Sequence, residues 1–352
     1  MELQSLWWNT ISGAVRFVQD SLEAAANFRV LLLEEAPYME HYLRILQERV
    51  RHWDSGLQFD IGFARDWSTG QDIEEALLNR CAPQADYHPM DGSRSEFIAR
   101  NHLLAGKVLI VRKIEEYPAW LDVAVRYAKH STPQNGMILV TYTGTVPLRS
   151  ARKGISDLRW RDFISSYDMQ MFASTCIAGA NIPSTARNYI TQIASRLARA
   201  DPEQCEQLAV REIVREDARS LLARLSAIRP GSDPSPPDLQ EIETILWEAQ
   251  VQIFFPIIER TRRRFIEAYY DEFLEVIPVK DEFHKELNTP EDMELRHMWY
   301  YRFKEQGFRT QEDKRVFNLV YNCRNVLAHL KLLDNEALQD ILAIDPTRQI
   351  LS

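Results

Sequence analysis

The feature that most constrains the fold is a proline-rich stretch at residues 229–238, which holds four prolines, one glycine and two serines. Proline fixes its own φ and has no backbone N–H, so neither a helix nor a sheet strand can run through this stretch. A chain of 352 residues is long for one domain and suits two. The sequence therefore predicts a linker at residues 230–238 between two separately folded parts.

The half before the linker carries short apolar runs that alternate with helical patterns. Uninterrupted apolar strands separated by helices are typical of a parallel sheet covered on both faces. We therefore expect a mainly parallel α/β domain over residues 1–183, followed by a helical extension over residues 184–229 without a strand pattern. The predicted strands are residues 29–33, 57–64, 108–111, 137–140 and 169–173.

The half after the linker, residues 239–352, has helical periodicity throughout and predicts an all-α bundle of about four helices. Pro278, Pro290 and Gly307 are expected at helix ends. The predicted helices are a long one over residues 247–273, a second around 293–303, a third that begins near Thr310 or Gln311, and a short last one over 335–344.

Composition and charge exclude several classes of protein. Hydrophobic residues make up 45% and charged residues 26%, which excludes collagen-like chains and disulfide scaffolds. The net charge of −9 argues against a surface that coats nucleic acid as a whole, and leaves a local basic groove open. The four cysteines form no CxxC pair and no zinc spacing, so we expect neither a metal nor another cofactor. Without a signal peptide or a membrane-spanning run, the chain is expected to be cytoplasmic and away from membranes.

The strand at residues 29–33, the turn after it and the helix at 39–50 are followed later by a second strong strand at 108–111. This order resembles the layout of a P-loop NTPase of the AAA+ or STAND kind. A phosphate cradle needs glycines, whose backbone N–H groups close on the phosphates, and a lysine that reaches the terminal phosphate.

The turn has the sequence Glu-Glu-Ala-Pro-Tyr-Met at residues 34–39, without glycine or lysine. Arg112 stands where the magnesium-holding aspartate is expected. The resemblance therefore implies a degenerate NTPase-like module, without Walker A, that is kept for sensing or assembly. The alternative is a plain α/β core unrelated to NTPases.

The sharpest motif in the chain is Arg324-Asn325-Val326-Leu327-Ala328-His329, which we place inside the helix that begins near Gln311. Requiring asparagine directly after arginine lowers the number of Arg-x4-His pairs expected by chance to about 0.03. Asn325 and His329 are four residues apart and share one side of a helix, opposite an apolar stripe. A core-filling histidine would lie on that stripe, so the pattern favours a functional role for His329. The stripe consists of Val316, Val320, Cys323, Leu327 and Leu330.

This motif resembles the signature of the HEPN ribonuclease superfamily: an arginine, a polar residue and then a histidine on a late helix of a four-helix bundle. The resemblance covers roughly residues 239–342 and implies RNA cleavage without a metal. In that chemistry His329 transfers protons, Arg324 stabilises the phosphorane, and Asn325 orients them. Two protomers of the family place their motifs face to face, so the resemblance also implies a composite site in a homodimer.

The resemblance further implies an endoribonuclease effector of a prokaryotic anti-phage defence system, which cuts tRNA or another RNA and is controlled by the degenerate N-terminal domain. A partner protein from the same system is then expected. The alternative is a non-catalytic HEPN-like scaffold in a multiprotein or RNA-binding complex. A basic run at residues 259–264 leaves two interpretations open, an RNA-facing patch and a salt-bridged solvent face.

Overall fold

The computed structural model describes residues 2–67, 72–144, 154–228 and 237–344, which form two compact units. The first unit comprises the described residues up to Phe172 together with Arg199–Glu203. The second comprises Ala173–Ala198 and the described residues from Gln204 onward. The linker predicted at residues 230–238 lies outside the described residues except for Pro237 and Asp238.

A sheet of five parallel strands forms the centre of the first unit, which confirms the predicted parallel α/β architecture. Strands one and four are buried at every residue, as their uninterrupted apolar sequences predict. The strands are β1 Val30–Glu34, β2 Gln58–Phe63, β3 Lys107–Arg112, β4 Met137–Tyr142 and β5 Ile155–Leu158, and their order in the sheet is β2-β3-β4-β1-β5.

Helices cover both faces of this sheet. The second helix contacts β1 and β5, and its Phe17 ring lies 5.2 Å from the Tyr42 ring. The seventh helix contacts β1, and its Trp120 and Tyr127 share a buried cluster with Val30. The helices are α1 Leu3–Thr10, α2 Ser12–Asn27, α3 Met39–Trp53, α4 Ala64–Trp67, α5 Ile73–Cys81, α6 Arg94–Arg100, α7 Ala119–His130 and α8 Ser166–Ile177.

The chain reverses its direction across the sheet between β1 and β4. From β1 it passes through α3 to β2 at the far edge, and then steps back through β3 to β4, which pairs with β1. In open α/β sheets ligands bind at such a reversal, outside the carboxyl ends of the strands. A ligand site in this unit is therefore expected at the carboxyl ends of β1, β3 and β4.

Two details of the predicted sheet are wrong. Residues 169–173 belong to α8, because Met169, Phe172 and Ala173 are buried with the three- and four-residue spacing of a helix. The fifth strand is β5, which the sequence did not indicate. Its four residues include Asp157, and none of them is fully buried, so it carries no apolar run.

The second unit is built around one helix of 30 residues, which runs through Pro256. Gln250 on this helix is buried and uses both ends of its amide. Its Nε2 donates to the Tyr189 hydroxyl at 3.2 Å, and its Oε1 accepts the Leu333 N–H at 2.9 Å. The later helices are α9 Ser184–Leu197, α10 Pro202–Leu208, α11 Ala218–Ile228, α12 Leu239–Ala268, α13 Tyr270–Leu274, α14 Leu295–Met298, α15 Lys304–Gln306, α16 Gln311–Ala328 and α17 Asn335–Ala343.

The all-helical prediction for this half needs a correction. A small antiparallel ribbon, β6 Val279–Lys280 with β7 Glu286–Leu287, follows α13. The predicted helix around residues 293–303 is divided, because a π-helical turn at Trp299–Phe303 separates α14 from α15. The long helix begins at Leu239, earlier than predicted, where the Asp238 side chain accepts the Glu241 N–H at 2.8 Å.

Candidate functional site

The motif lies at the carboxyl end of α16. This helix begins where predicted, with the Thr310 hydroxyl accepting the Asp313 N–H at 3.0 Å, and it ends at Ala328. The sequence predicted His329 inside the helix, but His329 is the residue that ends it. The apolar stripe is buried at Val320, Cys323 and Leu327.

The stripe prediction fails at its two ends. Val316 is only half-buried, and the buried position in that turn is Phe317. Leu330 is 74% exposed, because the helix has ended before it and its φ is 58°. The Lys331 N–H donates to the Val326 carbonyl and the Leu330 N–H to the Leu327 carbonyl, which closes the helix end.

Arg324 points toward the start of α14. Its Nη2 lies 3.3 Å from Glu294 Oε2, and its Nη1 lies 3.5 Å from Asn325 Oδ1. The guanidinium lines a cleft of about 280 Å³ together with Arg262 and four carboxylates. Those carboxylates belong to Glu259, Glu291, Asp292 and Glu294.

His329 is exposed, and its imidazole makes no hydrogen bond or ion pair within the described part of the chain. Its backbone N–H donates to the Asn325 carbonyl at 3.2 Å. The structure thus brings Arg324 and Asn325 into contact and leaves the His329 side chain in solvent near the same helix end.

The basic run at residues 259–264 is in part salt-bridged. Arg262 Nε donates to Glu259 at 2.9 Å, and its Nη1 donates to the Met293 carbonyl at 2.9 Å. Arg262 therefore fixes the loop that carries Glu294.

His297, which no sequence pattern indicated, assists in placing Glu294. The buried Nδ1 of His297 accepts the Glu294 N–H at 3.1 Å, so its proton lies on Nε2. Burial lowers the pKa of His297, and the neighbouring Arg296 lowers it further. Neither Glu294 nor His297 has a sequence signal, because both act through α16, which lies some distance further along the chain.

The described residues contain no cluster of three or more histidine, cysteine, aspartate or glutamate side chains that could hold a metal ion. All four cysteines are free thiols. Burial raises the pKa of the Cys323 thiol to about 12, so this sulfur is a packing group of α16.

In the first unit, carboxylates of the chain itself bind the polar groups around the turn after β1. Arg112, at the carboxyl end of β3, is 9% exposed and forms ion pairs with Glu35 and Glu40. The Thr141 hydroxyl donates to the second oxygen of Glu35. The Tyr38 N–H, at the start of α3, donates to Glu203 Oε1 at 2.7 Å. The Arg112 guanidinium and the Tyr38 N–H, which would face a phosphate bound at this turn, are thus already paired with carboxylate oxygens.

Glu34 lies on the other face of β1 and forms an ion pair with Arg161. Its Oε2 is buried and has no hydrogen-bond partner in the described part of the chain. Burial raises the pKa of Glu34, and Arg161 offsets part of that rise. Tyr38 and Lys113, beside these carboxylates, have positive φ without being glycine, a sign of local backbone strain.

The chain matches no protein-family model and no curated protein at a significant level. Within the residues that the structure describes, no helix combines the length and the apolar character needed to cross a membrane.

Proposed function

We propose that the chain is a metal-independent endoribonuclease of the HEPN kind, with Arg324, Asn325 and His329 as its catalytic residues. The observation that carries the proposal is the free imidazole of His329 at the helix end that also presents Arg324 and Asn325. Histidine and arginine are the residue types that RNA transesterification needs for proton transfer and for charge stabilisation.

In the proposed reaction the RNA 2′-oxygen attacks the adjacent phosphorus while its proton leaves to a base. The 5′-oxygen departs and takes up a proton, which leaves a 2′,3′-cyclic phosphate and a 5′-hydroxyl. His329 transfers protons and Arg324 binds the phosphorane oxygens. The two side chains make no contact within one chain, and the family resemblance implies that a second copy, whose motif faces the first, completes the site.

The first unit is proposed as a degenerate NTPase-like module of the AAA+ or STAND kind that controls the ribonuclease. Its parallel sheet and the helix that follows β1 support this proposal. The ion pairs of Arg112 with Glu35 and Glu40 favour a module without nucleotide turnover, since they bring negative charge to the phosphate position.

The biological setting follows from the same family resemblance. We assign the chain to a prokaryotic anti-phage defence system, with tRNA or another structured RNA as substrate. A homodimer through the helical unit, a partner protein of the system and a cytoplasmic location belong to this proposal.

A second candidate function is a non-catalytic scaffold in a multiprotein or RNA-binding complex. One observation favours it: Arg324 is already paired with Glu294, in a cleft with three further carboxylates. Such a cleft repels phosphate until Glu294 moves away. In this case the motif would serve local hydrogen bonding alone.

The deciding experiment incubates labelled tRNA and structured RNA in EDTA with the full-length protein and two histidine variants. We expect His329→Ala to lower cleavage by about 10²-fold or more, because a proton-transfer group is lost. The control is His284→Asn, which removes another exposed imidazole of the same unit at a left-handed position that asparagine tolerates.

Cleavage that survives in His284→Asn, vanishes in His329→Ala and leaves 2′,3′-cyclic phosphate ends supports the ribonuclease. Absence of cleavage by the full-length protein, with both variants folded, supports the scaffold.

A further inference from the structure

A second cleft, of about 510 Å³, lies beside His329 in the helical unit. One wall is the first part of α12, with Thr244 and Trp247, and the other is the segment that follows the motif, with Leu330, Lys331 and Leu332. Its volume falls in the range of pockets that hold small organic groups. The cleft therefore begins at the residue directly after the proposed proton-transfer group.

Trp247 is a fixed wall of this cleft. Its indole N–H donates to the Leu327 carbonyl at 2.9 Å, which ties the ring to the last turn of α16. The side chain is half-buried and keeps part of its surface in the cleft. An aromatic ring fixed beside a helix end is suited to stacking against another flat ring.

The segment after the motif is held in an unusual backbone conformation. Leu330 occupies the position where helices commonly end in glycine, with φ of 58° and 74% exposure. A leucine with positive φ is strained, and in this conformation its apolar side chain lies in solvent at the cleft. Lys331 is exposed beside it and has no ion pair with another described residue.

We propose that this cleft binds one unpaired nucleobase of single-stranded RNA, next to the phosphate at which His329 acts. This inference rests on the proposed ribonuclease function. The base stacks on Trp247 and contacts Leu330, while the ammonium of Lys331 lies near the backbone phosphate. Glu243, which also lines the cleft, repels phosphate and so directs the base, and not the backbone, toward α12.

Single-stranded RNA is the occupant that fits this set of groups. In a duplex the bases stack on one another and cannot turn into a protein cleft, whereas unpaired bases can. A free cation beside an aromatic wall is complementary to a nucleotide, which combines a flat ring with a negative phosphate.

The test measures binding of a 2′-O-methyl oligoribonucleotide, which cannot be cleaved, to full-length protein by fluorescence anisotropy. We expect Trp247→Ala to weaken binding about 10-fold and Trp247→Phe about 3-fold or less, since phenylalanine keeps a stacking face. Lys331→Gln should lower the slope of log K against log salt by about 0.7. The same sequence as a duplex should bind about 10-fold more weakly or worse.

Trp53→Ala is the matched control, because Trp53 is 55% exposed on α3 in the other unit, and binding should not change. Where circular dichroism shows that Trp247→Ala has lost its fold, Leu330→Asp and Lys331→Gln carry the test, since both residues are exposed.

RNA binding that is unchanged in the Trp247, Leu330 and Lys331 variants overturns the subsite. The ribonuclease then stands as long as His329→Ala still abolishes cleavage. If these variants lose the mass of a dimer in light scattering while their RNA binding is unchanged, the cleft is a contact between copies. That result also overturns the subsite. A wild-type protein that neither binds nor cuts RNA overturns both proposals.

Discussion

At the scale of single residues, Arg112 is the residue of the first unit whose loss is expected to lower the free energy of unfolding most. Its guanidinium balances the Glu35 carboxylate, which is 10% exposed, at the carboxyl edge of the sheet. Removing one member of a buried ion pair leaves the other charge without compensation in a poorly solvated place. Arg112 therefore has a structural role at this edge of the sheet.

Arg112→Met should lower the free energy of unfolding of the first unit by about 3 kcal/mol, because Glu35 loses its buried partner. Urea unfolding followed by tryptophan fluorescence measures the change. Arg65→Ala is the control, since the Arg65–Asp66 pair is exposed on both sides, and it should cost about 1 kcal/mol or less.

The Arg112→Met, Glu35→Gln double variant should regain part of the loss, since no buried charge is then left unpaired. Equal losses in the Arg65 and Arg112 variants would contradict the role assigned to Arg112.

At the scale of elements, the motif helix is fixed at its first turn. Asp313 is buried there, and the Tyr269 hydroxyl donates to its Oδ2 at 2.7 Å. The Tyr269 oxygen in turn accepts the Arg309 N–H at 2.9 Å. Burial raises the pKa of Tyr269 to about 12, so the phenol keeps its proton for Asp313 at neutral pH.

Tyr269→Phe should destabilise the helical unit by about 2 kcal/mol, because it removes a hydrogen bond to a buried carboxylate. The neighbouring Tyr270 is 41% exposed, so Tyr270→Phe is a matched control with an expected change near zero. Thermal unfolding followed by circular dichroism compares the two. An unchanged stability of Tyr269→Phe would show that Asp313 does not depend on Tyr269.

The elements also show what sequence patterns can and cannot predict. The predicted strands that became β1, β3 and β4 rest on apolar runs, and buried parallel strands have that composition. Both edge strands, β2 and β5, lack a fully buried residue, and β5 has only four residues, two of which are Ser156 and Asp157, so it carries no apolar run. In the motif, helical periodicity predicts an exposed His329, and His329 is exposed, but as the residue that ends the helix. The pairing of Arg324 with Glu294 does not, because it depends on how a distant loop folds.

At the scale of the whole molecule, the residues before the predicted linker do not all belong to the first unit. α9 and α11 pack on α12 within the second unit. The rings of Tyr189 and Phe254 lie 5.5 Å apart, and Arg196 pairs with Glu248 at 2.5 Å. A fragment cut at the linker would expose this buried face of α12 to water.

We therefore expect a fragment of residues 173–352 to form a single species, monomer or dimer, and to unfold cooperatively. A fragment of residues 239–352 should aggregate or unfold gradually, because Phe254 and its neighbours lose their cover. Size-exclusion chromatography and urea unfolding distinguish the two. Cooperative unfolding of the shorter fragment would mean that α9 and α11 add little to the core.

Gln250 limits which amino acids position 250 can hold. Its amide joins Tyr189, from before the linker, to Leu333, just after the motif, and each end of the amide has a different chemical task. Glutamate would place a charge in a buried site, leucine would leave the Leu333 N–H without an acceptor, and asparagine is one methylene too short to reach both partners. Hardly any amino acid other than glutamine can therefore replace Gln250 without loss of one of these hydrogen bonds. Related chains with another residue at position 250 should also differ at position 189.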